Sequence, residues 1–336
     1  MTSALRMKSR AFARPDDRLA SLHLAISLAM WVGAVALGAA YPGNPAAIAM
    51  SVVVFVGASI RLFAVQHDCG HLSYFRGHRV NVWTGVLLGA FTANAFHTMR
   101  YNHNRHHAHI GNLDEMDSHE VLTWTVADWR AATPLQRLGY RLYRSVLSIC
   151  LLGPLYIFFL RYRFPKNARK VGLWDCALQN ALMAALWVGV YLLGGVAAFQ
   201  AQLLGSVATA IVGTIMVYSG HNHEDTYWNR ADAVDFEEAS LRGASVLTLG
   251  PVFDFMTFNF AYHDLHHLNA RIPCYRLRAC HRALRDDLHP TRLGLSEALG
   301  SLRWKLWDEE QGRMVRFADV AASPDARQRE EPLRHV

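Results

Sequence analysis

The stretch "AAIAMSVVVFVGASIRLFAVQHDCGH", residues 46–71, decides the fold class. Ala46 to Val65 is an almost unbroken apolar block, near the ~20 residues a helix needs to cross the hydrocarbon core. It shows no polar stripe, which a surface helix of a soluble domain would carry. Its one charge, Arg61, lies near an end, from where a long side chain can snorkel to the interface. Immediately after the block come two histidines, His67 and His71, at helical spacing. A membrane helix therefore delivers a metal-ligating pair to one face of the bilayer.

Working outward, three more blocks have the same character: about residues 19–40, 177–196 and 200–219. The chain of 336 residues is 52% apolar, and those residues are gathered into blocks instead of being dispersed. Three further apolar stretches, 82–96, 146–160 and 246–262, are shorter or broken by Pro154, Pro251 and Asp254. They read as interfacial or buried segments. The expected architecture is an all-α membrane protein with four transmembrane helices and a cytoplasmic cap. Its integral membrane domain would cover residues 1–317, and 318–336, charged and proline-containing, would be a loose tail.

The net charge of +7 does not call for a nucleic-acid partner. Basic residues fall before the first span, between residues 66 and 176, and in the C-terminal third. The connections "YPGNP" and "GGVAAFQ" carry no charge. The positive-inside rule puts the basic regions on the cytoplasmic face, as in a bacterial inner membrane, and the two tight turns outside. The first block is too long for a cleavable signal and would itself direct insertion. Five cysteines form no CxxC pair, consistent with reduced thiols.

Eighteen histidines are present. Three clusters stand out: "HDCGH" at 67–71, "HNRHH" at 103–107 and "HDLHH" at 263–267, with "GHNHEDTYW" beginning at Gly220 after the last span. On a helix, positions i, i+3 and i+4 share a face. HxxxH thus offers two converging imidazoles and HxxHH three. Eight such ligands exceed the capacity of one ion and point to two. Imidazole suits zinc, copper, iron and nickel, so ligand type alone does not select the metal. His23 reads as a helix-packing residue, and His78, His119, His281, His289 and His335 as surface or interfacial. His97, His109 and His223 stay ambiguous.

These motifs resemble the three histidine boxes of the membrane-bound fatty acid desaturases, over about residues 20–285. The resemblance is nearest to the acyl-lipid omega-6/delta-12 type. "HDCGHLSYF", "HEDTYW" and "YHDLHHLNARIPCYRL" carry it beyond the boxes. It implies a di-iron centre held by His67, His71, His103, His106, His107, His221, His263, His266 and His267. His223 stands where relatives often have an aromatic residue. Asp68 and Asp264 follow box histidines and are candidates to orient imidazoles through the second N–H. Asn259, four residues before His263, is a candidate for holding a water near a metal.

The implied chemistry is O2-dependent desaturation of a lipid-linked fatty acyl chain. Removing hydrogen from an unactivated alkyl chain is beyond acid–base side chains and needs a cofactor, here two iron ions (Fe2+/Fe3+), with O2 as co-substrate. The protein would aim one C–C pair and exclude water. No GxGxxG opens a βαβ unit and no stretch resembles a fused cytochrome b5 domain, so electrons would come from a separate ferredoxin or cytochrome b5-type carrier. "RYRFPKNARK" at 161–170 could steer such a carrier or anchor beside headgroups. The same scaffold could act as a hydroxylase, acetylenase or oxidative decarboxylase. A histidine-lined metal transporter is the rival of another class, but it would need ligands inside the spans, which hold only His23.

Overall fold

The structure, a computed structural model, describes residues 4–116 and 121–322. In chain order, the helices that build the site are α1 (Asp17–Ala40), α2 (Pro45–Gly70), α3 (His78–Thr92), α4 (Phe96–Ala108), α5 (Pro134–Tyr143) and α6 (Leu173–His221). They are followed by α7 (Pro251–Met256), α8 (His263–Leu268), α9 (Cys274–Ala283) and α10 (Phe317–Ala322). Strands among the described residues are two or three residues long. Trp124–Thr125 pairs in parallel with Leu306–Asp308, which pairs antiparallel with Arg313–Val315, and Val246–Leu247 pairs in parallel with Arg292–Leu293.

Helices α1, α2 and α6 are long and apolar enough to cross a membrane. Helix α1 starts at Asp16, whose carboxylate accepts from the amides of Arg18 and Leu19. Helix α2 starts at Asn44, which accepts from Ala46 and Ala47, with Pro45 in the first turn where a missing N–H costs nothing. At 1.5 Å per residue, α6 would run roughly 73 Å if straight, far beyond the ~30 Å core. It does not run straight. Gly195 has φ 67° and ψ −162°, a conformation closed to L side chains. There the chain reverses, so that the rings of Trp187 and Phe199 meet at 5.4 Å. The blocks at 177–196 and 200–219 are the two legs of this hairpin, giving four apolar legs in all. Leu193, beside the turn, is 93% exposed, and few residues of the apolar window of α6 are buried within the protein. Such a surface needs a lipid solvent.

The legs pack through small residues, as helices in lipid do. A Cβ at Gly38 would lie 2.7 Å from Ala201 Cβ and 2.8 Å from Ser51 Oγ, and one at Gly205 would enter the Phe55 ring. Ser51 Oγ also donates to Ala34 O at 2.7 Å, tying α1 to α2.

Several expectations need correction. Box one does not follow the second span; it is the last turn of that helix. Arg61 does not snorkel. It is fully buried, donating to Ser27 Oγ (3.0 Å) and Phe255 O, facing His23 Nδ1 (3.3 Å), and lying over the rings of Phe255 and Phe258. Helix α2 can bury a guanidinium because each of its three nitrogens meets an oxygen or a nitrogen and two aromatic rings cover its face. His281 is buried, not at the surface; His78 and His289 are exposed. The segment expected as a loose tail from residue 318 is helical where it begins. Residues 317–322 form α10, and Phe317 and Val320 pack with Trp129 and Tyr140. The rest of that segment, His119 and His335 lie outside the described residues.

The stretch 146–160 continues a bent helical path from α5, with an angle of 51° between its two arms. It makes no net crossing. Asp175, at the start of α6, accepts hydrogen bonds from the amides of His97 and Thr98 and from Thr98 Oγ1. Both ends of the chain between α4 and α6 are thereby held at one face.

Candidate metal centre

Nine histidines converge from four elements. His67 and His71 come from the end of α2; His103, His106 and His107 from α4; His221 is the last residue of α6; His263, His266 and His267 lie on α8. They sort into two adjacent groups. His67, His71, His103, His107 and His266 bring ligand atoms within 4.8 Å of one another, and so do His106, His221 and His267. His263 completes the second group: its Nε2 is 2.9 Å from His221 Nε2 and 3.1 Å from His267 Nε2. The groups touch where the His107 and His267 rings stack at 4.4 Å.

The spacing within each group tests whether a metal fits. His103 and His107 approach Nε2 to Nε2 at 2.9 Å, and His107 and His266 at 3.0 Å. Bonds of about 2.0–2.1 Å from a metal to imidazole put cis nitrogens of an octahedron roughly 3 Å apart. The buried Nε2 atoms of His67 and His71 have no protein partner. Burial, reinforced by neighbouring imidazoles, holds His71, His103, His107, His263, His266 and His267 well below the ordinary imidazole range. They are neutral, the form that binds metal. The donor set fits two ions, with five nitrogens for one and four for the other.

Supporting contacts orient these rings. Asp68 Oδ1 is 3.2 Å from His67 Nδ1, while its Oδ2 accepts from the amide of Cys274 at 2.6 Å. One carboxylate thus turns His67 Nε2 inward and ties box one to α9. His221 Nδ1 donates to Gly243 O at 2.9 Å, which frees its Nε2 for a metal. Gly243 must be glycine, since a Cβ there would lie 2.3 Å from Ala239 O. Asp175 caps α4 from α6, and Asn102 on α4 binds Lys166 O and Asn167 Nδ2.

Other candidates are placed elsewhere. Unlike the Asp68 carboxylate, that of Asp264 has no imidazole within hydrogen-bond distance. Burial pushes its carboxyl up to about 7, partly offset by the amides at its own helix start. Asn259 donates its side-chain amide to Cys274 O at 2.9 Å, a tie to the start of α9. His97 packs at a tilt against Trp174, and His109 Nδ1 meets Glu115 at 3.2 Å. His223 belongs to neither group. Both its ring nitrogens are buried without partners, and burial, with His221 beside it, pushes it down to about 3.

Sequence reasoning missed Asp175, Gly243 and Arg144. Arg144 is fully buried and binds Thr123, Tyr218, Asn222 and the carbonyls of Leu122 and Trp304, clamping the end of α6 to the cap. In the sequence it is one basic residue at the edge of the apolar stretch 146–160, with nothing to mark its buried partners.

An apolar cavity of about 570 Å³ reaches the centre. His221 is the one ligand that lines it. Phe55, Phe63, Trp187, Leu203 and Ala210 form its membrane part, and Gly111, Tyr227 and Trp228 its cap part.

Comparison with known proteins agrees with this geometry. The model of the fatty acid desaturase family matches residues 42–298. A fatty acid desaturase of Bacillus subtilis (strain 168) is 30% identical over 277 residues, 81% of this chain and 78% of that protein. From Synechocystis, an sn-1 oleoyl-lipid 12-desaturase is 25% identical (68% of this chain, 65% of that protein) and an sn-1 acyl-lipid omega-3 desaturase (ferredoxin) 24% (68% and 64%). The chain spans slightly under two thirds of the length of these last two. A matching family model over most of the chain, and histidines gathered as its boxes foretold, make this protein a member of the fatty acid desaturase family, an oxidoreductase type that acts on fatty acids.

Proposed function

We propose that the protein desaturates a lipid-linked fatty acyl chain with O2, using two iron ions held by the nine histidines. The observation that carries this reading is the apolar cavity with His221 in its wall: it offers a long hydrocarbon chain direct access to the metal centre. When bound, the iron pair supplies the O2-derived oxidising power that acid–base side chains lack. The overall change converts –CH2–CH2– with O2, two electrons and two protons into –CH=CH– and two waters. The chain's own residues bind, orient and shield. Phe55, Phe63 and Trp187 exclude water from the acyl chain, and Asp68 and Gly243 fix His67 and His221.

Electrons come from a separate one-electron carrier, of the ferredoxin or cytochrome b5 type. The ferredoxin in the name of one relative supports the first. The lipid-linked substrate is supported by the acyl-lipid names of two relatives and by a cavity within the membrane helices. The distribution of basic residues supports a centre on the cytoplasmic side of a bacterial inner membrane.

Expression in a host with saturated lipids, with a matched carrier and its reductase, tests the reading. Mass spectrometry should find new alkenes whose formation stops without O2. Hydroxylated, acetylenic or shortened chains in their place would reassign the reaction.

A further inference from the structure

The position of His221 along the cavity carries information about where the double bond is placed. The second leg of α6 lines the cavity on one face, through Leu203, Ser206, Ala210, Gly213, Val217 and His221. These recur every three or four positions, so the groove follows the helix axis for five turns, roughly 27 Å. On the facing helix α2 the lining runs from Phe63 to Phe55, whose Cα lies roughly 18 Å along the axis from His67. By either measure the groove on the membrane side of the metal centre is long. A leaflet is half of the ~30 Å hydrocarbon core, so an acyl chain in it spans ~15 Å. The groove can therefore hold nearly a whole chain beyond the reacting carbons.

Beyond His221 the cavity meets the cap. Thr226, part of its wall, donates its hydroxyl to the carbonyl of His221 itself at 3.0 Å. Gly111 closes against Tyr227: a Cβ at Gly111 would lie 2.8 Å from that ring.

Resting on the desaturase reading above, we infer that the enzyme acts in the carboxyl-proximal half of the acyl chain. The long methyl-side remainder lies along α6, with its terminus near Phe55 and Leu203. Gly213 is then a specificity-determining position. It lies two turns from His221, roughly 12 Å, and a Cβ there meets no heavy atom within 4 Å. A larger side chain at this point fills the groove without displacing the protein.

Double bonds are located in the host lipids by mass spectrometry of dimethyl disulfide adducts, for the parent and for Gly213→Leu. The parent should place the new bond closer to the carboxyl than to the methyl end. Gly213→Leu should keep its iron but lose at least fivefold of its product on the longest chains relative to the shortest. A bond in the methyl-proximal half would overturn this inference while leaving desaturation intact. So would an unchanged chain-length profile in iron-loaded Gly213→Leu. Absence of any alkene from iron-loaded parent with a competent carrier would instead remove the reading on which it rests. If Gly213→Leu does not accumulate, the bond position in the parent alone decides.

Discussion

His221 and His263 bring their Nε2 atoms to 2.9 Å across 42 residues of chain. That meeting joins the end of the α6 hairpin to box three and makes His221 a member of the four-nitrogen group. His223, two residues on, has no place in either group. Replacing His221 with alanine should therefore reduce iron from about two per chain to about one, since the five-nitrogen group keeps all its ligands. His223→Ala should retain both. Elemental analysis of the purified variants reads this directly. Iron lost on His223→Ala and kept on His221→Ala would reverse the assignment.

Asp68 and Asp264 occupy the same place in two HD dipeptides, yet only Asp68 touches a ligand ring. Removing an orienting partner of a metal-bound histidine typically costs 10–100-fold in metal affinity. Asp68→Ala should weaken iron retention against a chelator by about that factor. Asp264→Asn should leave it within about twofold, because no imidazole depends on Asp264. Equal losses in both would show that the carboxylates act through something other than the His67 contact.

What the sequence disclosed and what it hid divide along the reach of the signal. Box histidines are readable because their spacing is a local helical property. Their partition is not. His106 and His107 are adjacent, so they point roughly 100° apart and serve different groups. His266 and His267 split in the same way. No spacing rule says which neighbour goes where; that is fixed by how α2, α4 and α8 meet. Asp175 caps α4 from 77 residues away, and Gly243 receives His221 from a loop. Such contacts leave no periodic trace. Arg61 was misplaced because hydropathy sees one charge in a span and not the ring of acceptors around it.

Arg61 makes a further test of that point. Its hydrogen bonds to Ser27 and Phe255 O link α2 to α1 and α7 inside the fold. Arg61→Ala would leave those acceptors unpaired and a cavity behind, a loss of about 2–4 kcal/mol. Lysine should recover little of it, being a point charge without the planar fork. Thermal unfolding in detergent, followed by tryptophan fluorescence, measures both. A midpoint for Arg61→Ala within about a degree of the parent would mean that the buried guanidinium does not hold these helices together.

Topology follows from which ends the structure ties together. The bond between Asp175 and Thr98 forbids a net crossing between α4 and α6, and the reversal at Gly195 returns α6 to the face it left. The convergence of His67, His107, His221 and His266 then requires all four elements to end on one side. On the proposal that the basic regions face the cytoplasm, that side is cytoplasmic. Reporters fused after Asn112, Asn229 and Arg303 should read cytoplasmic, and those after Gly43 and Gly195 should read on the opposite face. Two results are separable. If every reporter switches face together, the arrangement stands and only its orientation is reversed. If Asn112 and Asn229 report opposite faces, the bent segment between α4 and α6 crosses the bilayer. The nine histidines could not then meet in one centre.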